Sequence, residues 1–162
     1  MTFSLPDDIR TIRYVSKGAS SFFAVIPQLI APLTEGFPAE QSGFAASLSQ
    51  MTPSSQLLLR KSIQVMLCIA WETFVDELEA TDGIRHAAHF PKGFERYHNE
   101  EIKEVFLIRN CIVHCGGKID AGYVKDSRLK TFAVAGTAID FTEVQLDTQF
   151  KLFGDTFAKI IA

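Results

Sequence analysis

Arg109, Asn110 and His114 are the residues of this 162-residue chain whose types and spacing could do chemistry. An imidazole exchanges protons near neutrality, and a guanidinium grips two oxygens of an oxyanion in a planar fork. Asn110 and His114 are four apart, so on a helix the amide shares a face with the imidazole and can fix its tautomer. Arg109 and His114 are five apart, roughly 140° around a helix axis, so one straight helix does not aim both at one point. They converge only at a frayed helix end or across two chains. A two-fold axis near this helix brings two arginines and two histidines into one cleft.

The element that must position them is legible. Ile102, Val105, Phe106, Arg109 and Ile112/Val113 recur at three and four, which predicts a helix with its apolar side toward a core. Gly116-Gly117 follows as a left-handed stop.

Arg109-Asn110-x-x-x-His114 resembles the R-x4-6-H signature of the HEPN superfamily, whose pattern favours a polar residue directly after the arginine. The surrounding run from Ile108 to Asp120 is similar to bacterial HEPN-like ribonuclease families, and Trp71-Glu72-Thr73-Phe74 resembles their recurrent Trp-Glu-x-aromatic stretch. The resemblance covers about residues 54 to 162. Cys115 stands where Asn is expected, and Gly116 stands where the modified-tyrosine version seen in HEPN antitoxin systems carries Tyr. The resemblance implies a metal-independent endoribonuclease leaving 2′,3′-cyclic phosphate ends, assembled at a homodimer interface. His114 is then the general base or acid, Arg109 the phosphate clamp and Asn110 the orienting group. Partners would be RNA, a second copy and an antitoxin or other regulatory protein. The alternative is a non-catalytic HEPN module that binds a nucleotide, an RNA or a protein. In the purely structural reading, Arg109 pairs with Glu72 and His114 satisfies helix-end carbonyls.

Composition bounds these readings. The length suits one domain spanning 1–162, and 47% hydrophobic residues with 14 Phe supply a core rich in rings. No stretch approaches the ~20 apolar residues of a membrane helix, and the N-terminus lacks a signal-peptide pattern, so a cytoplasmic location is expected. The formal charge of −3 does not advertise nucleic-acid binding. Residues 103–130, however, hold six basic groups against three acidic ones, and Lys118 in that run is a further candidate phosphate contact. Three cysteines in such a chain predict free thiols. Cys111, His114 and Cys115 leave a zinc ion's fourth ligand unaccounted for, with only Cys68 to offer, and His86 and His89 lack a third ligand at useful spacing. No metal and no cofactor is expected.

The fold expected is all-α: an up-down bundle of four to five helices with a small β-hairpin before the C-terminal helix, the two long central helices antiparallel. A first helix starts at Asp7-Asp8 and is kinked or ended by Pro27 and Pro32, and residues 34–52 read as a loop or loosely helical connection. A second helix runs over about residues 55–80. Within it Glu72 sits beside Trp71 where the apolar stripe is densest, and a buried carboxylate there calls for a cation, for which Arg109 is the candidate. Residues 119–127 form a short helix or turn anchored by Tyr123. Arg128–Val134 and Ala138–Phe141 read as the hairpin, and Thr142 with Gln145 as a capping box that opens the last helix.

Overall fold

The apolar stripe around Trp71 dictates the centre of the molecule. A computed structural model describes residues 3–34, 42–94 and 96–162, with side chains outside the description at 20, 22–24, 26–34 and 42–52. Among the described residues the fold is an all-α bundle of six helices: α1 (Leu5–Thr34), α2 (Ser42–Thr81), α3 (Gly83–His89), α4 (Glu100–His114), α5 (Ala121–Asp126) and α6 (Glu143–Ile161). Helix α2 is the hub, packing on α1, α3, α4 and α6. Trp71, Phe74, Phe153 and Ile63 are fully buried. Trp71 meets Phe74 and Phe153 edge-on at 5.4 and 5.2 Å, and Phe74 meets Phe157 at 4.9 Å. Offset aromatic pairs of this kind add ~0.5–1.5 kcal/mol each beyond the area they bury. Helices α2 and α4 pack against each other, with Gln64 Nε2 donating to Val105 O at 3.3 Å. Trp71 Nε1 donates to Arg96 O just before α4, and Lys61, ten residues earlier on α2, lies over Gly117 just after it.

Proline changes less than the sequence pattern implies. Helix α1 runs to Thr34, past both Pro27 and Pro32, and α2 begins at Ser42 with Pro53 inside it. An interior proline costs about 3 kcal/mol, and packing of α1 along α2 is the compensation that local propensity omits. The loop expected over 34–52 is therefore helical from Ser42, and residues 35–41 lie outside the described ones.

The expected hairpin is absent among the described residues. Ala138 instead forms an isolated antiparallel bridge with Lys118, supported by Ile119 N–H to Thr137 O and Ile139 N–H to Gly117 O, both 2.8 Å. Arg128–Val134 cannot act as the partner strand because side chains have taken its amides. Lys130 N–H donates to Ser127 Oγ (2.9 Å), Thr131 N–H to Glu104 Oε1 (3.2 Å) and Phe132 N–H to the Tyr123 hydroxyl (3.1 Å). Lys130 has φ 54°, which breaks extended backbone. Leu129 and Val134, read as strand residues, stay exposed.

Helices α5 and α6 lie where their sequence patterns place them. Asp120 caps α5 through Tyr123 N–H, and Tyr123 is buried. Thr142 and Gln145 form the capping box of α6, which buries Leu146, Phe150, Phe153, Phe157 and Ile160 and leaves Val144 outside. No helix among the described residues is long and apolar enough to cross a membrane.

Candidate active site

Helix α4 carries the candidate residues, and both its ends are built to hold it. Asn99 caps the start through Ile102 N–H at 2.8 Å, and Glu100 and Glu101 sit on the favourable side of the helix dipole. At the other end Gly116 (φ 61°) and Gly117 (φ 73°) turn the chain, and Cys111 O accepts from both Cys115 N–H and Gly117 N–H at 3.1 Å. The Cys111 carbonyl is thus served by backbone, and His114 bonds no helix-end carbonyl among the described residues.

Arg109 is half-buried against α2. Its Nη2 lies 3.4 Å from Glu72 Oε2, its Nη1 donates to Asn110 Oδ1 at 3.1 Å, and its Nε is screened from water with no acceptor among the described residues. Asn110 therefore engages the arginine next to it and not the imidazole four residues on. His114 is exposed and has no hydrogen-bond or ion-pair partner among the described residues.

A pocket of about 270 Å³ collects His114 with Asn110, Cys111, Cys115, Asp120 and Asp126. Arg109 does not line it, as the angular separation along α4 implies. Within this pocket Cys111 Sγ and Cys115 Sγ approach Asp120 Oδ1 and Oδ2 at 3.6 and 3.4 Å. Burial, reinforced by the charge of Asp120, pushes both thiols up, while the Tyr123 N–H at 2.6 Å holds the Asp120 carboxyl below its ordinary value. Cys68 lies apart, buried in the core, and burial pushes its thiol far up.

The other candidates scatter. Lys118 is exposed on the bridge to Ala138. The basic run of 103–130 does not act as one free surface: Arg128 pairs with Glu100 at 3.0 Å, Lys103 sits 6.0 Å over the Phe94 ring and Lys130 bonds Val124 O. His86 stacks on Phe90 at 4.9 Å, and His98 is held by a contact between its Nδ1 and His89 O at 2.9 Å, so the histidines near the turn are packed against it rather than free on the surface.

Two features escape a reading of the sequence. One is Asp120, whose position after the double-glycine turn folds it back onto Cys111 and Cys115. Its signal was the capping pattern Asp120-Ala121-Gly122-Tyr123, which places an aspartate at a known distance from the turn. The other is a set of exposed apolar side chains on the two packed helices: Leu58 (66% exposed), Met66 and Ile69 on α2 and Val113 on α4. A groove of about 440 Å³ opens there between Leu58, Lys61, Met66, Ile112 and Gly117. Comparison with protein-family models, with curated proteins and with solved structures found no match.

Proposed function

We propose that this chain is a HEPN-type, metal-independent endoribonuclease whose site is assembled between two copies. The observation that carries the reading is the open arc at the end of α4. Arg109, Val113, Asn110 and His114 follow one another within roughly 140° of the axis, and His114 is left exposed and without a partner among the described residues while Arg109 is held by Glu72 and Asn110. Val113 lies within that arc, and Leu58, Met66 and Ile69 are further exposed apolar side chains on α2, the helix against which α4 packs, so this side of the molecule suits a second copy of the chain.

In the proposed reaction the RNA 2′-oxygen attacks phosphorus, forming the P–O2′ bond as the P–O5′ bond breaks. His114 of one copy takes the 2′-OH proton or delivers one to the departing 5′-oxygen. Arg109 has N–H groups left over after its two intrachain contacts, and these stabilise charge on the non-bridging oxygens. Glu72 fixes the direction of the guanidinium.

A second reading, a non-catalytic HEPN module binding a nucleotide, an RNA or a protein, draws on one observation: Arg109 is already paired with Glu72. Cleavage of RNA in excess EDTA, with products examined for 2′,3′-cyclic phosphate ends, separates the two. His114→Ala is expected to lower the rate by ~10² to 10⁴-fold with the fold intact, and Arg109→Lys to be severely impaired because the planar fork is lost. Met66→Glu and Val113→Glu are expected to give monomers by light scattering and to lose activity together. Cleavage that needs added divalent metal, or His114→Ala cleaving like the wild type, would leave only the binding module.

A further inference from the structure

Among the described residues, Cys111, Cys115 and Asp120 are the group whose ligand atoms gather closely enough to hold one ion, all within 4.8 Å of one another. We propose that they form a binding site for a thiophilic divalent cation, zinc by chemistry, at the joint between α4 and α5. The inference does not depend on the ribonuclease reading.

Geometry favours it first. With Zn–S of about 2.3 Å and Zn–O of about 2.0 Å, a tetrahedral ion separates its sulfur and oxygen ligands by about 3.5 Å. Cys111 Sγ stands 3.6 Å from Asp120 Oδ1 and Cys115 Sγ 3.4 Å from Asp120 Oδ2, so each sulfur is already about one such edge from the carboxylate, and one donor atom from each of the three residues lies within 4.8 Å of the others.

The donors are also held in place without the ion. Cys111 is on the last turn of α4, Cys115 is its C-cap, and the Gly116-Gly117 turn fixes the route from there to Asp120. Asp120 is oriented by the N–H of Tyr123, the kind of outer hydrogen bond that aims a metal-binding carboxylate. Charge agrees as well. Asp120 and Asp126 line the pocket with no Lys or Arg among its lining residues, so it suits a cation and not a phosphate.

Ligand type then selects the ion. Two thiolates favour a soft or borderline metal over magnesium or calcium, and the carboxylate is an ordinary third ligand for zinc. Binding converts two thiols and one carboxylate into the complex with release of two protons, leaving a net charge of −1 on the ion with its three protein ligands. The fourth position opens on the pocket that His114 lines. Counting Cys111, His114, Cys115 and Cys68 in the sequence misses this set, because Cys68 is in the core and Asp120 supplies the oxygen.

The test uses the full chain, kept reduced by a phosphine, with no RNA present. Cobalt(II) titration should produce thiolate-to-cobalt charge-transfer absorption that saturates at one equivalent and is bleached by zinc. Cys115→Ser and Asp120→Asn should each weaken binding by at least the ~10 to 100-fold seen when even an outer partner of a metal ligand is lost. Asn still caps α5, so Asp120→Asn separates ligand loss from misfolding, and circular dichroism of both variants checks the fold. Cys68→Ala should retain the band. No charge-transfer absorption in the wild type, or titrations of Cys115→Ser and Asp120→Asn that match it, would overturn the site.

Discussion

Two carboxylates at opposite ends of the same polar logic set the closed part of this molecule against its open part. Glu104 on α4 is 5% exposed and is surrounded by donors: the Tyr123 hydroxyl, Ser127 Oγ at 2.6 Å and Thr131 N–H at 3.2 Å. Glu72 on α2 is half-buried and holds Arg109 alone, at 3.4 Å. Glu104 and the donors around it answer one another from within the chain. Around Arg109 and His114 donors are left over. A buried polar group is tolerable when it is hydrogen-bonded, so the first region is architecture. The second retains unspent hydrogen-bonding capacity at the surface, which is where a ligand is recognised.

The largest effect that can break this contrast is at Glu104. Glu104→Ala strands a hydroxyl pair and a backbone N–H, each costing ~1–3 kcal/mol when buried unpaired. A loss on the order of 3 to 5 kcal/mol is therefore expected in urea unfolding. His114→Ala should stay within ~0.5 kcal/mol of wild type in the same measurement. Equal losses at the two positions would erase the distinction.

A smaller effect tests the turn that joins the regions. Gly117→Ala puts a side chain at φ 73° and 2.6 Å from Lys61 Nζ, whereas Gly116→Ala meets nothing within 4 Å. Left-handed backbone alone costs ~1–2 kcal/mol for a residue with a Cβ, so both variants should lose about that much. Lys61 is flexible and can move, so Gly117→Ala is expected to be the worse by a few tenths of a kcal/mol.

The smallest is a pH effect. Burial, and then the hydrogen bond to Glu104, raise the Tyr123 hydroxyl above its ordinary 10.0. The folded chain keeps that proton where the unfolded chain releases it, so this contribution is complete below pH 10 and is lost as pH rises through the folded value. The urea midpoint of the wild type should fall more steeply above pH 10 than that of Tyr123→Phe. Parallel curves would show that Tyr123 stays neutral in neither state preferentially.

Much of the architecture was legible because local and tertiary signals agree. The threes and fours of α4, the double-glycine stop, the Thr142–Gln145 box and the apolar stripe around Trp71 each have one physical solution, and the chain adopts it. What was not legible depends on partners distant in sequence. Pro27, Pro32 and Pro53 break isolated helices, but α1 and α2 support each other. Arg128–Val134 has strand composition, but Glu104, one of the three acidic groups counted in the 103–130 run, reaches in from α4 and accepts from the Thr131 N–H. At the candidate site, helical spacing sufficed to separate Arg109 from His114. It could not show that Asn110 turns to the arginine, nor that Asp120 returns to the two cysteines.

The loop held by Glu104 and Tyr123 has one more consequence, for motion. Its amides at Thr131 and Phe132 belong to no helix and no strand, yet their acceptors are buried side chains of α4 and α5. Opening the loop takes donors away from a buried carboxylate and a buried phenol, so its opening is coupled to the core and is not that of a surface segment fraying on its own. An irregular stretch of chain is thereby bound into the same cooperative unit as the helix that carries Arg109 and His114.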